Sequence, residues 1–106
     1  MNKVIRTDSN KRQIVAILYS PRYGAGWFTC NPNHPECLFN PDIINLVLAQ
    51  APVDEINKLA AALWPDGYWS AAGLRVEWIK LGMAFQVNEV GDGYEEILTS
   101  DDWMVA

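Results

Sequence analysis

Cys30, His34 and Cys37 are the only cluster of soft metal ligands in the chain, spaced C-x3-H-x2-C across a proline-bounded loop. A structural zinc site takes four protein ligands in paired short spacings, whereas this cluster offers three, with Glu36 a poor fourth. No metal and no other cofactor is therefore expected. The alternative role for the two cysteines is that of small apolar residues flanking a loop whose exposed tip carries His34. A Cys–His nucleophile pair would need a depressed thiol pKa and an oxyanion hole, and nothing in the sequence marks either. Adjacent carboxylates are plentiful, but acid–base catalysis needs two held across a cleft in unlike environments. Asp54-Glu55 fits the start of a helix, and Glu95-Glu96 would point to opposite faces of a strand.

The segment Arg22-Tyr-Gly-Ala-Gly-Trp27 is the most informative stretch. Its glycines allow left-handed backbone or close approach by another group. As a site, its N–H groups would form an anion-binding concavity, with Arg22 clamping a phosphate or carboxylate and Tyr23 or Trp27 stacking on a base. Arg22, Tyr23, Gly24, Gly26 and Trp27 are thus the candidate ligand-binding residues. As scaffold, the same glycines would let Trp27 turn into the core. The segment lacks the lysine of a phosphate loop and the third glycine of a dinucleotide fingerprint.

Charge supplies a second candidate surface. Thirteen acids outnumber eight Lys and Arg, for a net charge of −5, and the basic residues concentrate near the amino terminus. From Glu89 to Asp102 six carboxylates meet no base. A protein gripping a phosphate backbone needs many cations, so general nucleic-acid binding is disfavoured. An acidic face instead suits a basic patch on a partner, and Glu95, Glu96, Asp101, Asp102 and Trp103 are the candidate partner-binding residues. The competing reading is a solvated face that maintains solubility.

The elements that would carry these residues are readable from periodicity. At 106 residues, half of them apolar, the chain is expected to form one domain over 1–106, with a polar segment over about 1–10. Gln13–Tyr19 is a continuous β-branched run, hence a central strand, and Trp27–Cys30 reads as a short returning strand. Asn40-Pro-Asp opens a helix that ends before Pro52, with Ile44, Val47, Leu48 and Ala51 at helical spacing. A second helix begins near Asp54, carries Ile56, Leu59, Ala60 and Leu63, and is terminated by Pro65-Asp-Gly67. Three strands follow, at roughly 74–79, 84–90 and 94–98, read as a meander with a tight turn at Gly91-Asp-Gly93. The expected fold is α+β: an antiparallel or mixed sheet of about five strands in ββααβββ order, with two helices on one face. Trp78 and Trp64 are assigned to the core, and Tyr68-Trp69 to a partly wet loop. No apolar run is long enough to span a membrane, and the polar amino terminus lacks a signal-peptide core, so a cytoplasmic protein is expected.

The runs Ile17-Leu-Tyr-Ser-Pro-Arg-Tyr-Gly-Ala-Gly-Trp27, Leu38-Phe-Asn-Pro41, Arg75-Val-Glu-Trp78 and Phe85-Gln-Val-Asn-Glu-Val90 together resemble a family of small bacteriophage proteins of unassigned function. That family carries a GYGAGW-type loop after its first strand, a helix opened near L-F-[DN]-P, and a VEW…F-x-[IV]-x-E-[YV] hairpin before an acidic turn. Here Gly91-Asp-Gly93 follows Val90 where the family more often has a tyrosine. The resemblance implies phage origin and the cytoplasm of an infected bacterial host. It also implies an accessory, anti-defence role: a non-enzymatic protein that inhibits host immunity by sequestering a nucleotide-like signal or by occupying a host defence protein. Assembly with further copies of itself is compatible with that role. The alternative is a small hydrolase or transferase acting on an anionic, nucleotide-like substrate through the Arg22–Trp27 loop.

Overall fold

The computed structural model describes residues 2–100; Asp101, Asp102 and Trp103 lie outside the described residues. The elements are β1 (Ile5–Thr7), β2 (Gln13–Tyr19), a short 3-10 helix (Pro35–Leu38), α1 (Pro41–Leu48), α2 (Val53–Leu63), β3 (Arg75–Lys80), β4 (Phe85–Gly91) and β5 (Tyr94–Thr99). The fold is α+β, with five antiparallel strands divided into a sheet ordered β1-β2-β3 and a separate β4-β5 hairpin.

β2 takes the central place that its continuous apolar run predicts. Val15 through Leu18 are all buried, flanked by β1 in the register Ile5↔Val15 and by β3 in the register Leu18↔Val76. α1 begins as its sequence dictates: Asn40 Oδ1 accepts from Ile43 N at 3.1 Å, Pro41 fills the first helical position, and Ile43 and Ile44 are buried. α1 lies against β2, β3 and α2. One apolar cluster joins β2, both helices, Trp27, Trp64 and Trp69, and Phe85, Val87 and Ile97 of the hairpin pack against it.

The polar segment over about 1–10 carries β1, which pairs with β2 although none of its three residues is buried. Two expectations are corrected. Trp27–Cys30 is not a strand but a series of turns, since its backbone donors are used elsewhere, as described below. The last three strands do not form a meander: β3 pairs with β2, and β4 pairs with β5. The strand total is preserved because β1 takes the place of the lost strand at 27–30. In the hairpin, Gly91 faces Tyr94 across Asp92 (φ 44°) and Gly93 (φ 79°), two positive φ values in succession as a type I′ turn requires.

Candidate functional site

Glu95 organises this end of the molecule. It is fully buried on β5, and its carboxylate accepts three backbone N–H groups: Ser20 at 2.8 Å, Phe28 at 2.8 Å and Thr29 at 2.7 Å. Its own N–H donates to Ser20 O at 2.8 Å. These donors flank the Arg22–Trp27 segment rather than belong to it, and the anion they hold is the chain's own carboxylate. Placing Glu95 on a partner-binding face is corrected accordingly. Glu96 points away from the interior, as strand alternation demands, and accepts from Asn88 Nδ2 at 3.0 Å.

The loop seated on Glu95 parts the five residues expected to act together. Trp27 is completely buried; its Nε1–H donates to Cys37 O at 2.9 Å and its ring packs on Trp69 with centroids 4.9 Å apart. No ligand can stack on it, so its expected binding role is corrected to that of a core anchor. Gly26 (φ 75°) is buried too: any side chain there would meet left-handed backbone strain, and its Cβ would lie 2.5 Å from Cys30 Sγ unless the Cys30 side chain moved. Arg22 is exposed, and its side-chain methylenes lie against Gly73 rather than beside Tyr23. Tyr23 and Gly24 alone reach a cavity.

That cavity is an open cleft of about 640 Å3 between the glycine loop and the β4–β5 turn. Tyr23, Cys30, Tyr68, Glu89 and Asp92 line it. The turn is tied across by Gly24 N donating to Asp92 O, and Gly93 sits so close to Ala25 and Gly26 that a Cβ would meet their backbone at 3.0 Å. Glu89 is oriented by accepting Gly93 N at 2.8 Å. Tyr23 and Tyr68 are 66% and 65% exposed, whereas Trp27, Trp64 and Trp69 are buried. The Tyr23 ring and the Tyr68 backbone are each held from behind. The Tyr23 ring rests on Tyr94 with centroids 5.0 Å apart. The buried Asn31 side chain accepts from Tyr68 N at 2.8 Å and donates to Tyr68 O and, at 2.8 Å, to Trp27 O. Asn31 carried no recognisable signal in the sequence beyond its place in a turn-forming Asn-Pro pair.

Trp69, expected in a wet loop, is instead 9% exposed, its Nε1–H donating to Trp64 O at 2.7 Å. The aromatic of that pair facing solvent is Tyr68. Trp78 is half-buried rather than core, with the Arg6 guanidinium 4.6 Å from its ring centroid.

The Cys30/His34/Cys37 cluster does not converge. Cys37 is buried, where desolvation and the fields of Glu95 and Glu36 push its thiol pKa up. His34 presents Nε2 to both Asp66 oxygens at 2.9 and 3.0 Å, and Nδ1 to Glu36 at 3.2 Å. The Asp66 hydrogen bond, assisted by Glu36, raises the imidazole pKa against a smaller opposing effect of burial. Both ring nitrogens face carboxylates, so neither is directed at a thiol. Cys30 lines a second hollow of about 230 Å3 together with His34 and Asp66, without a hydrogen bond to the imidazole. Its chemistry is opposed: burial and the carboxylates of Glu95 and Glu89 raise the Cys30 thiol pKa, and Sγ lies 3.4 Å from Ala25 O. Among the described residues no group of three or more His, Cys, Asp or Glu side chains could hold a metal ion. Nor is any helix among them long and apolar enough to cross a membrane.

No family model, curated protein or solved structure matches this chain.

Proposed function

We propose that this chain is a non-enzymatic binding protein of the phage accessory, anti-defence kind, acting in the cytoplasm of an infected bacterium by occupying a host protein with the cleft. The observation that carries this reading is the pair of exposed tyrosines, Tyr23 and Tyr68, at the mouth of one open cleft, the first with its ring on Tyr94 and the second with its backbone held by Asn31. Rigid aromatic rings lose little entropy on binding and supply large contact areas, which is why tyrosine is enriched at recognition surfaces. A nucleotide-like ligand is less well served. Its phosphates would meet Glu89 and Asp92, while the Gly24 N–H of the loop is bonded to Asp92 O and the N–H groups of Phe28 and Thr29 just beyond it to Glu95. Enzymatic use of the same region is opposed by the raised thiol pKa of Cys30 and by the two carboxylates occupying His34.

The test is a protection assay in bacteria carrying defence systems, paired with thermal unfolding. Combined Tyr23→Ala and Tyr68→Ala should abolish protection while changing stability by no more than about 1 kcal/mol, as exposed side chains do. Protection that survives loss of both rings would remove the cleft from the function. An intact nucleotide released on denaturing the purified protein would replace the protein partner with a small-molecule signal.

A further inference from the structure

We propose that the cleft recognises an arginine side chain on a basic segment of the partner, taken against the faces of Tyr23 and Tyr68 and paired with the carboxylates of Glu89 and Asp92. This deepens the reading of the cleft as the binding site and rests on it.

Two independent properties of the cleft point to a cation. The first is aromatic: the rings most exposed to it belong to tyrosine, whose faces carry negative charge density and attract guanidinium or ammonium groups. The second is ionic. Glu89 and Asp92 line the cleft, and no Lys or Arg does so among the described residues. Glu89 spends one oxygen on Gly93 N, but a carboxylate has about four lone-pair positions, so capacity for a forked donor remains. The field inside the cleft agrees, because the Cys30 thiol on its wall is made harder to ionise by burial and then by Glu95 and Glu89. Burial penalises a charge of either sign, but the part of the shift due to Glu95 and Glu89 disfavours a phosphate and favours a cation. Arginine fits better than lysine, since its planar fork can stack on a ring and pair bidentately with a carboxylate at once. The second hollow, which shares Cys30 and Tyr68 with the cleft and carries Asp66, offers a continuation for residues flanking the arginine.

Charge can be removed here without disturbing the fold. Glu89→Gln keeps an oxygen able to accept Gly93 N. Asp92 sits at φ 44°, where asparagine is at least as well tolerated. The experiment is an amide NMR titration of the full chain with acetyl-Gly-Arg-Gly-amide, its citrulline and lysine counterparts, and ATP. The arginine peptide should produce saturable shifts at Gly24, Tyr68 and Gly93. The citrulline peptide, equal in shape but neutral, should bind about tenfold or more weakly, and the Glu89→Gln/Asp92→Asn variant should lose a similar factor. Raising salt from about 0.05 to about 0.5 M should weaken the arginine peptide severalfold. Equal binding of arginine and citrulline peptides, saturation of the same amides by ATP, or undiminished binding by the charge-neutral variant would each overturn the proposal. The two readings fail separately. If the tyrosine variants lose protection but no arginine peptide binds, the cleft is the functional site and its ligand is not arginine. If the arginine peptide binds but protection ignores the tyrosines, the chemistry holds and the cellular function lies elsewhere.

Discussion

At the scale of the residue, two neighbouring acids show how far sequence reading reaches. Glu95 and Glu96 are equally charged and both lie in an acidic stretch, and strand alternation says only that they face opposite ways. It does not say that one side is an interior where backbone donors wait, because those donors come from residues 20, 28 and 29, far away along the chain. Glu95 is thus a structural joint between β5 and the glycine loop, and the consequence is measurable. Glu95→Ala would leave three donors without a partner, each costing about 1–3 kcal/mol where water cannot replace it. We expect a loss of about 3–5 kcal/mol in urea unfolding, with Glu96→Ala within about 0.5 kcal/mol of the parent. Comparable effects from the two substitutions would contradict the joint.

At the scale of the element, what could be read was what is locally encoded. The Asn40 cap with Pro41, the β-branched run of β2 and the two-residue Asp92-Gly93 turn all fold as their own sequences specify. Non-local choices were not legible. Trp27–Cys30 has strand-forming composition, but Glu95 takes the N–H groups of Phe28 and Thr29, and a ladder there is lost. β3 pairs with β2 rather than β4, a choice between two apolar edges that periodicity cannot make. The glycine loop was recognisable as unusual, yet which of its side chains face solvent depends on the hairpin turn docking against it. Gly93→Ala tests that docking, with Gly82→Ala as its control. Both positions have φ near 80°, so both incur the left-handed backbone penalty of about 1–2 kcal/mol. Around Gly82 a Cβ meets nothing within 4 Å, whereas at Gly93 it meets the backbone of Ala25 and Gly26 at 3.0 Å. Gly93→Ala should therefore cost about 1–3 kcal/mol more than Gly82→Ala and weaken cleft binding. Equal costs would mean that turn and loop are not in contact.

At the scale of the whole molecule, the loop carrying His34 and the loop carrying Asp66 are fastened by an ionic bracket beside the packed rings of Trp64 and Trp69, and that bracket makes stability depend on pH. The His34 pKa is raised above its ordinary 6.5, chiefly by the Asp66 hydrogen bond, so its stabilising contribution is complete below about 6.5 and fades as pH climbs through the raised value. Asp66 is lowered from 3.8, chiefly by its hydrogen bond with His34. Glu36 is lowered from 4.5, first by its own backbone N–H and, against burial, by His34. Their contributions are complete above those ordinary values and fade as pH falls through the lowered ones. The bracket is strongest where both conditions hold, between pH 4.5 and 6.5. Thermal unfolding of the parent and of His34→Gln across pH 4 to 9 isolates it, because loss of ring packing against Trp64 and Trp69 is the same at every pH. The gap in Tm should be widest within that window and narrow as pH climbs through the raised His34 value, because a ring that has lost its charge can donate from only one nitrogen. A gap that stays constant from pH 5.5 to 9 would show that His34 contributes packing alone. Because the bracket ends two residues before Tyr68, the same titration, followed at the Tyr68 amide, reports how far its protonation reaches into the cleft.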